Sequence, residues 1–322
     1  MTRSDPVGDA SKRIKPYIQV TPLEYIAAKQ VYIKWENRQT TGSFKLRGAC
    51  NKILTLSTSE LERGLTCASA GNHGQAVGWI AGRVGASTDV FVSKDAPRIK
   101  LEKMRSLGVH LHLVPGGYGE AEAAGLEYAR LNGKTWISPY NDPHVILGAA
   151  TIAAEVLVQA NLESAVWLVP VGGGGLISGI GEVLKHRNPG HRLIGVQPQD
   201  NAYMHALVFD GSTENWRDLP SLADGLTGAV EGNSVTVERV QHYVDEILLV
   251  SEADIAQAIA YAWLQHGQVI EGSGAVALAA MRSVKLDGVP AIAVISGGNI
   301  DPHVHAEIIR TSEDPFLNEE TD

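Results

Sequence analysis

Along this chain, short apolar runs alternate with longer stretches whose apolar residues recur every three to four positions. The runs at 31–35 (VYIKW), 89–93 (DVFVS), 109–114 (VHLHLV), 165–171 (AVWLVPV), 192–197 (RLIGVQ), 246–251 (EILLVS) and 291–296 (AIAVIS) predict strands. The stretches 72–85, 97–107, 118–132, 147–160, 174–187, 252–266 and 274–285 predict helices between them. Ser251, with Asp254 three positions on, has nearly the shape of a capping box and places a helix start there. β-branched runs that are apolar on both faces belong in parallel sheet covered by helices. The pattern therefore predicts an α/β fold with open, mostly parallel twisted sheets. Such sheets bind ligands at the carboxyl ends of their strands, so chemistry is expected where strands run into glycine.

The length, 322 residues, suits about two structural units. With 27 Lys+Arg against 36 Asp+Glu the net charge is −9, which argues against a nucleic-acid partner, since that would need a basic face. No apolar run reaches the ~20 residues of a membrane span, and the N-terminus lacks the apolar core of a secretory signal. Cys50 and Cys67 are too few for a disulfide framework and too far apart for a redox pair. A soluble, cytoplasmic protein is expected. No repeat stands out, and only the first dozen residues and the acidic tail after Thr311 read as loose ends.

Glycine is abundant, at 34 residues, and clustered. The 165–171 strand runs into Gly172-Gly173-Gly174-Gly175 followed by Leu176. A plain tight turn needs one or two glycines. Four in a row forfeit side-chain burial and cost backbone entropy, so they are read as a place where backbone N–H groups approach a ligand rather than as a packing device. Between a strand and a helix start, that is an anion cradle suited to phosphate. It is neither a Walker loop nor a dinucleotide fingerprint. A second strand ends in Ser296-Gly297-Gly298-Asn299, which alone reads as a turn. A third short strand leads into Ser69-Ala70-Gly71-Asn72-His73, where a helix start could hold a carboxylate, or where Asn72 could be a simple N-cap. Lys45, after Phe44 at another helix start, would be a depressed-pKa amine if buried, as a Schiff-base lysine requires. Alone it would read as a surface charge. Together with a phosphate cradle, a carboxylate turn and a strand-end serine, it suggests pyridoxal phosphate.

In order, ENRQTTGSFKLRGA, SAGNHGQA, PVGGGGLISG and SGGN resemble the fold-type II, tryptophan synthase β-like pyridoxal-phosphate enzymes, and more narrowly the serine/threonine dehydratases. The resemblance covers roughly residues 14–300, with the ADG at 223–225 and EGSGAVALAA at 271–280. It implies that Lys45 carries the cofactor as a Schiff base, with Phe44 beside it. It further implies that Asn72 bonds the pyridine 3′-oxygen, that Gly172 to Gly175 with Leu176 hold the phosphate, and that Ser296 faces the pyridine nitrogen. Ser69, Ala70, Gly71, Asn72 and His73 would hold the substrate carboxylate. The implied activity is deamination of a β-hydroxy amino acid such as L-threonine or L-serine to a 2-oxo acid and ammonia. Leu46 sides with the dehydratases against the synthases. Ala70, where serine racemases carry a second serine, argues against racemisation. A neutral Ser296 hydroxyl leaves the pyridine nitrogen unprotonated, which favours β-elimination over reprotonation at Cα.

Other readings are a lyase for 3-hydroxyaspartate or a compatible-solute intermediate, a racemase, or a non-catalytic cofactor-binding module. Gln197 and Tyr203 stand where relatives carry acidic cation ligands, so no divalent-metal site is expected. Gly148-Ala149-Ala150-Thr151 departs from the usual GQGT, and His303 and His305 read as tail residues. The resemblance implies a large unit from residues 1–63 and 142–322, a small mobile unit over 64–141, and a homodimer. Because 23 residues follow SGGN, too few for a regulatory domain, a catabolic type insensitive to isoleucine is expected.

Overall fold

In a computed structural model, residues 5–187 and 190–312 are described; the acidic tail lies, from residue 313 on, outside them. Among the described residues, ten strands form two sheets: β1 (Leu23–Ile26), β2 (Val31–Trp35), β3 (Leu65–Ala68), β4 (Thr88–Ser93), β5 (His110–Val114), β6 (Thr135–Trp136), β7 (Val166–Pro170), β8 (Arg192–Pro198), β9 (Glu246–Val250) and β10 (Ala291–Ile295). The larger sheet runs β1-β2-β10-β7-β8-β9 and is parallel except for the antiparallel β1–β2 pair. The smaller runs β5-β4-β3-β6, all parallel. Its strands come from one continuous stretch, residues 65–136, while the larger sheet takes strands from both sides of that stretch.

All seven runs read as strands form strands. β1 and β6 were not read, for physical reasons. β1 is a four-residue edge whose central Glu24 and Tyr25 face solvent, and β6 is only two residues long. Burial on both faces of the larger sheet shows in alternate residues of one strand. Ala291, Ala293 and Ile295 of β10 join one core, while Ile292 and Val294 join the other.

Eight helices frame the site: α1 (Pro6–Ile14), α2 (Lys45–Ile53), α3 (Thr58–Arg63), α4 (Asn72–Val84), α5 (Arg98–Ser106), α6 (Tyr118–Asn132), α7 (Pro143–Ala160) and α8 (Gly175–Arg187). α7 starts four residues earlier than its apolar pattern predicts, because Asp142 caps it through the His144 and Val145 N–H groups and Pro143 fits the first turn. Its 18 residues are apolar enough by length and composition to cross a membrane, yet half of them are buried within this fold. It packs on α2 and α8. At Gly148 the approach is backbone to backbone, since a Cβ there would lie 2.4 Å from the Arg47 carbonyl oxygen. The two positions that depart from GQGT, Ala149 and Ala150, are buried in the apolar core, while Thr151, which does not depart, meets Arg47. The 274–285 prediction resolves into the Gly272–Ala279 helix and a short 3₁₀ turn, Ala280–Arg282. His303 and His305 are not tail residues but sit on the Pro302–Thr311 helix, where His305 meets Trp263 edge-on at 5.5 Å.

Candidate active site

Lys45 opens α2, beyond the carboxyl ends of β2 and β10. Its segment is laced to the end of β10: the Phe44 N–H donates to the Ser296 carbonyl at 2.9 Å, and the Gly298 N–H to the Gly42 carbonyl at 2.9 Å. Lys45 Nζ donates to the Pro139 carbonyl at 2.8 Å, and the Phe44 ring centre lies 5.2 Å away. Burial, partly offset by Glu271, lowers the amine's pKa to about 8.

From the smaller sheet, β3 delivers the Ser69–His73 turn to the same place. Ser69 Oγ accepts the Gly71 N–H at 3.0 Å. Gly71 occupies the N-cap position of α4 without any side-chain cap, and Asn72 is the first helical residue, so the N-cap reading of Asn72 fails. Its amide instead reaches Glu271 at 2.5 Å and Asn299 at 2.6 Å. His73 Nε2 lies 2.8 Å from the Ile137 carbonyl, to which only a protonated nitrogen can donate. Burial first, and Lys45 second, drive its pKa down to about 3, so the ring is neutral at physiological pH. The turn therefore offers an anion N–H groups and a helix N-terminus, not an imidazolium.

β7 delivers the four glycines to the start of α8. Their crowding corrects the view that a glycine run is no packing device. A Cβ on Gly173 would stand 2.3 Å from the Tyr140 ring, and one on Gly175 2.9 Å from Tyr140 Cβ. The run is needed both to admit Tyr140 and to keep its own N–H groups bare. Thr236 Oγ1 fixes the turn by donating to the Gly173 carbonyl at 2.6 Å. At the end of β10, buried Ser296 Oγ lies 3.3 Å from the Ser273 carbonyl.

All of the sequence-predicted site residues line two adjoining cavities. The larger, about 580 Å³, is walled by Phe44, Lys45, Ser69, Ala70, Gly71, Asn72, His73, Gly173 and Ser296. The smaller, about 40 Å³, is lined by Gly172 to Gly175 and Leu176, and shares Phe44, Lys45, Tyr140 and Ser296. A buried amine, a hydroxyl, an amide and a side-chain-free helix start around two adjoining cavities are a donor set that fits pyridoxal phosphate.

Sequence reasoning missed Tyr140, the Pro139 carbonyl, Asn299 and Glu271. Glu271 carried a signal, as an acid directly before an entirely small and apolar run. The supposed cation positions are otherwise engaged. Gln197 Oε1 accepts the His205 N–H at 2.8 Å, and Tyr203 stacks edge-on against Trp216 at 4.9 Å. Among the described residues, no three His, Cys, Asp or Glu side chains are grouped to hold a metal. Cys50 and Cys67 are free and buried, and burial raises both thiols to about 12.

This chain belongs to the pyridoxal-phosphate-dependent enzymes: the family described as "Pyridoxal-phosphate dependent enzyme" matches residues 14–297. Among characterised relatives it is 40% identical to the L-threonine ammonia-lyase of Thermotoga maritima over 317 residues, 96% of this chain and 78% of that one. Its fold, that of the fold-type II enzymes, superimposes on the processed form of threonine deaminase isoform 2 from Solanum lycopersicum. There the TM-score is 0.85 at 31% identity, covering 95% of this chain and 93% of that one. Maize serine racemase gives a TM-score of 0.87 at 27% identity, covering 95% and 96%.

Proposed function

We propose that the enzyme deaminates a β-hydroxy amino acid such as L-threonine or L-serine, by β-elimination, to a 2-oxo acid and ammonia. The observation that carries this is the Lys45 amine, brought to a pKa of about 8 on the wall of a cavity that also presents the Ser296 hydroxyl and a neutral His73. Bound pyridoxal phosphate supplies a carbonyl for the substrate amine and a ring that draws electrons from the Cα–H bond. Lys45 anchors the cofactor and, once freed by the substrate, takes the Cα proton at Nζ; a base with a pKa near ambient pH is suited to that transfer. The α4 N-terminus holds the substrate carboxylate against a neutral His73, and the glycine turn with Leu176 holds the phosphate. Ser296 meets the ring nitrogen with a neutral hydroxyl. Ala70 presents a methyl group, which cannot return a proton to the opposite face, so elimination is favoured over racemisation. The β-hydroxyl leaves as water, and a water molecule is consumed again when ammonia is released.

The unit over residues 64–141 is read as mobile, closing the Ser69–His73 turn over the substrate and excluding water. Family resemblance supports a homodimer that works in the cytoplasm on small molecules. Lys45→Ala is the direct test: it should abolish both the visible absorbance of the purified protein and ammonia release from threonine. Full activity in that variant would sink the assignment. Ammonia release across a panel of hydroxy amino acids, 3-hydroxyaspartate included, then ranks substrates.

A further inference from the structure

An asparagine facing a ligand can present either an N–H or an oxygen, and only its neighbours decide which. Asn72 is held at both ends by groups of single character. Glu271 Oε1 lies 2.5 Å from Asn72 Nδ2, and a carboxylate can only accept. Asn299 Nδ2 donates to Asn72 Oδ1 at 2.6 Å and to the Thr41 carbonyl at 2.9 Å. The orientation of Asn299 is fixed in turn by Lys103 Nζ, 2.6 Å from Asn299 Oδ1, since an ammonium can only donate. Donation thus runs one way, Lys103 to Asn299 to Asn72, and ends on Glu271. The other Glu271 oxygen accepts the Asn299 backbone N–H at 3.1 Å. Glu271 is buried on the cavity wall, directly before the Gly272–Ala279 helix.

We propose that Glu271 is a positioning residue that fixes the polarity of the Asn72 amide, so that Asn72 offers the cofactor's phenolic oxygen an N–H and never its own oxygen. This rests on the assignment of Asn72 to that oxygen. Two accepting oxygens are required at Glu271, one for the Asn72 amide and one for the Asn299 N–H. A glutamine has a single oxygen, so whichever way it turns, an N–H meets an N–H. The charged groups around Glu271 are Asp224, Lys45, Lys100 and Lys103. Burial, then Asp224, raises its pKa to about 7, so the carboxylate form holds above neutral pH.

The test is a pH titration of the visible absorbance of bound cofactor in the holoenzyme and three variants, beside steady-state kinetics. In Glu271→Gln the phenolic oxygen loses an oriented donor, so its protonation midpoint should rise by about one pH unit. kcat should fall about tenfold, with KM for threonine within about twofold. Asn299→Ala, which frees the other end of the amide and leaves the carboxylate, should shift the midpoint in the same direction by less. A wild-type midpoint in Glu271→Gln, or in Asn299→Ala should the first variant not hold cofactor, overturns the proposal. Asn72→Ala separates the two assignments. A shift there, with none in Glu271→Gln, refutes positioning alone; no shift in Asn72→Ala refutes the role of Asn72 itself.

Discussion

At the scale of single residues, the site is built from groups made unusual by burial rather than by rare chemistry. An exposed lysine titrates near 10.5, whereas Lys45 is brought to about 8 because an ammonium is poorly solvated there. Only the free amine has a lone pair to bond the cofactor carbonyl. The rate at which cofactor-free protein captures added pyridoxal phosphate should therefore climb about tenfold per pH unit below 8 and level off above it. Stopped-flow absorbance would show this, and a flat profile across that range would contradict the assigned pKa. Ala70 permits the converse experiment. It lines the cavity on the carboxylate turn, so Ala70→Ser places a hydroxyl where only a methyl group stood. Chiral chromatography should then detect D-serine from L-serine, with dehydration retained, and an absence of D-serine would mean that the second proton comes from elsewhere. Lys45, Asn72, the glycines and Ser296 were legible in the sequence because each lies in a local motif. Glu271 and Asn299 also stand in such motifs, but their bonds to Asn72 span 199 and 227 residues, and a partner at that separation leaves no local pattern.

At the scale of elements, the strands read from apolar runs were those of five to seven residues, whether buried like β7 and β10 or partly exposed like β5. A two-residue strand such as β6 has no periodicity to read, and the order β1-β2-β10-β7-β8-β9 depends on long-range pairing that apolar runs do not encode. Helix α2 is the element on which the chemistry depends, and its register is set by buried charge. Arg47, two residues after Lys45, donates to both oxygens of Glu36 at 2.8 Å and meets Glu155 at 3.1 Å. Lys34 bonds Glu155 at 2.5 Å, so two cations face two carboxylates. Arg47 and Glu36 have fully buried side chains. Removing one partner from such a pair leaves an uncompensated charge, which typically costs about 3–5 kcal/mol. Arg47→Ala should lower the unfolding free energy by about that amount in denaturant titrations and reduce cofactor occupancy, because the start of α2 loses its anchor. A loss below about 1 kcal/mol would mean that the network adds little. The glycine turn makes a second prediction at this scale. Gly173→Ala sets a Cβ 2.3 Å from the Tyr140 ring, so the ring or the turn must move, and cofactor affinity measured by absorbance should fall at least about tenfold.

At the scale of the whole molecule, the cavity lies where the two sheet units meet; an apolar core joins α2 to α4 there, and the contacts across the cavity itself include polar ones. Lys100 of α5 pairs with Asp224 at 2.7 Å, and Lys103 with Asn299 at 2.6 Å. Apolar surfaces pressed together in these places would hold the units shut, whereas polar groups re-solvate readily when the units part. The Lys100 and Asp224 side chains are 30% and 63% exposed, so their pair is worth at most about 1 kcal/mol and weakens with salt. In the proposed closure of the 64–141 unit, an energy of that size would bias the open–closed equilibrium by about fivefold without locking it, as suits a site that must admit substrate and release product every turnover. Lys100→Ala should therefore raise KM for the amino acid by up to about fivefold, leave kcat within about twofold, and leave the melting temperature nearly unchanged. Asp224→Ala should do the same, and the double variant should be no worse than either, since both remove one interaction. In the wild type KM should rise with ionic strength, and in the variants that rise should vanish. Additive effects of the two substitutions, or an unaltered salt response, would show that the pair does not bias closure and that Lys100 acts on the substrate directly.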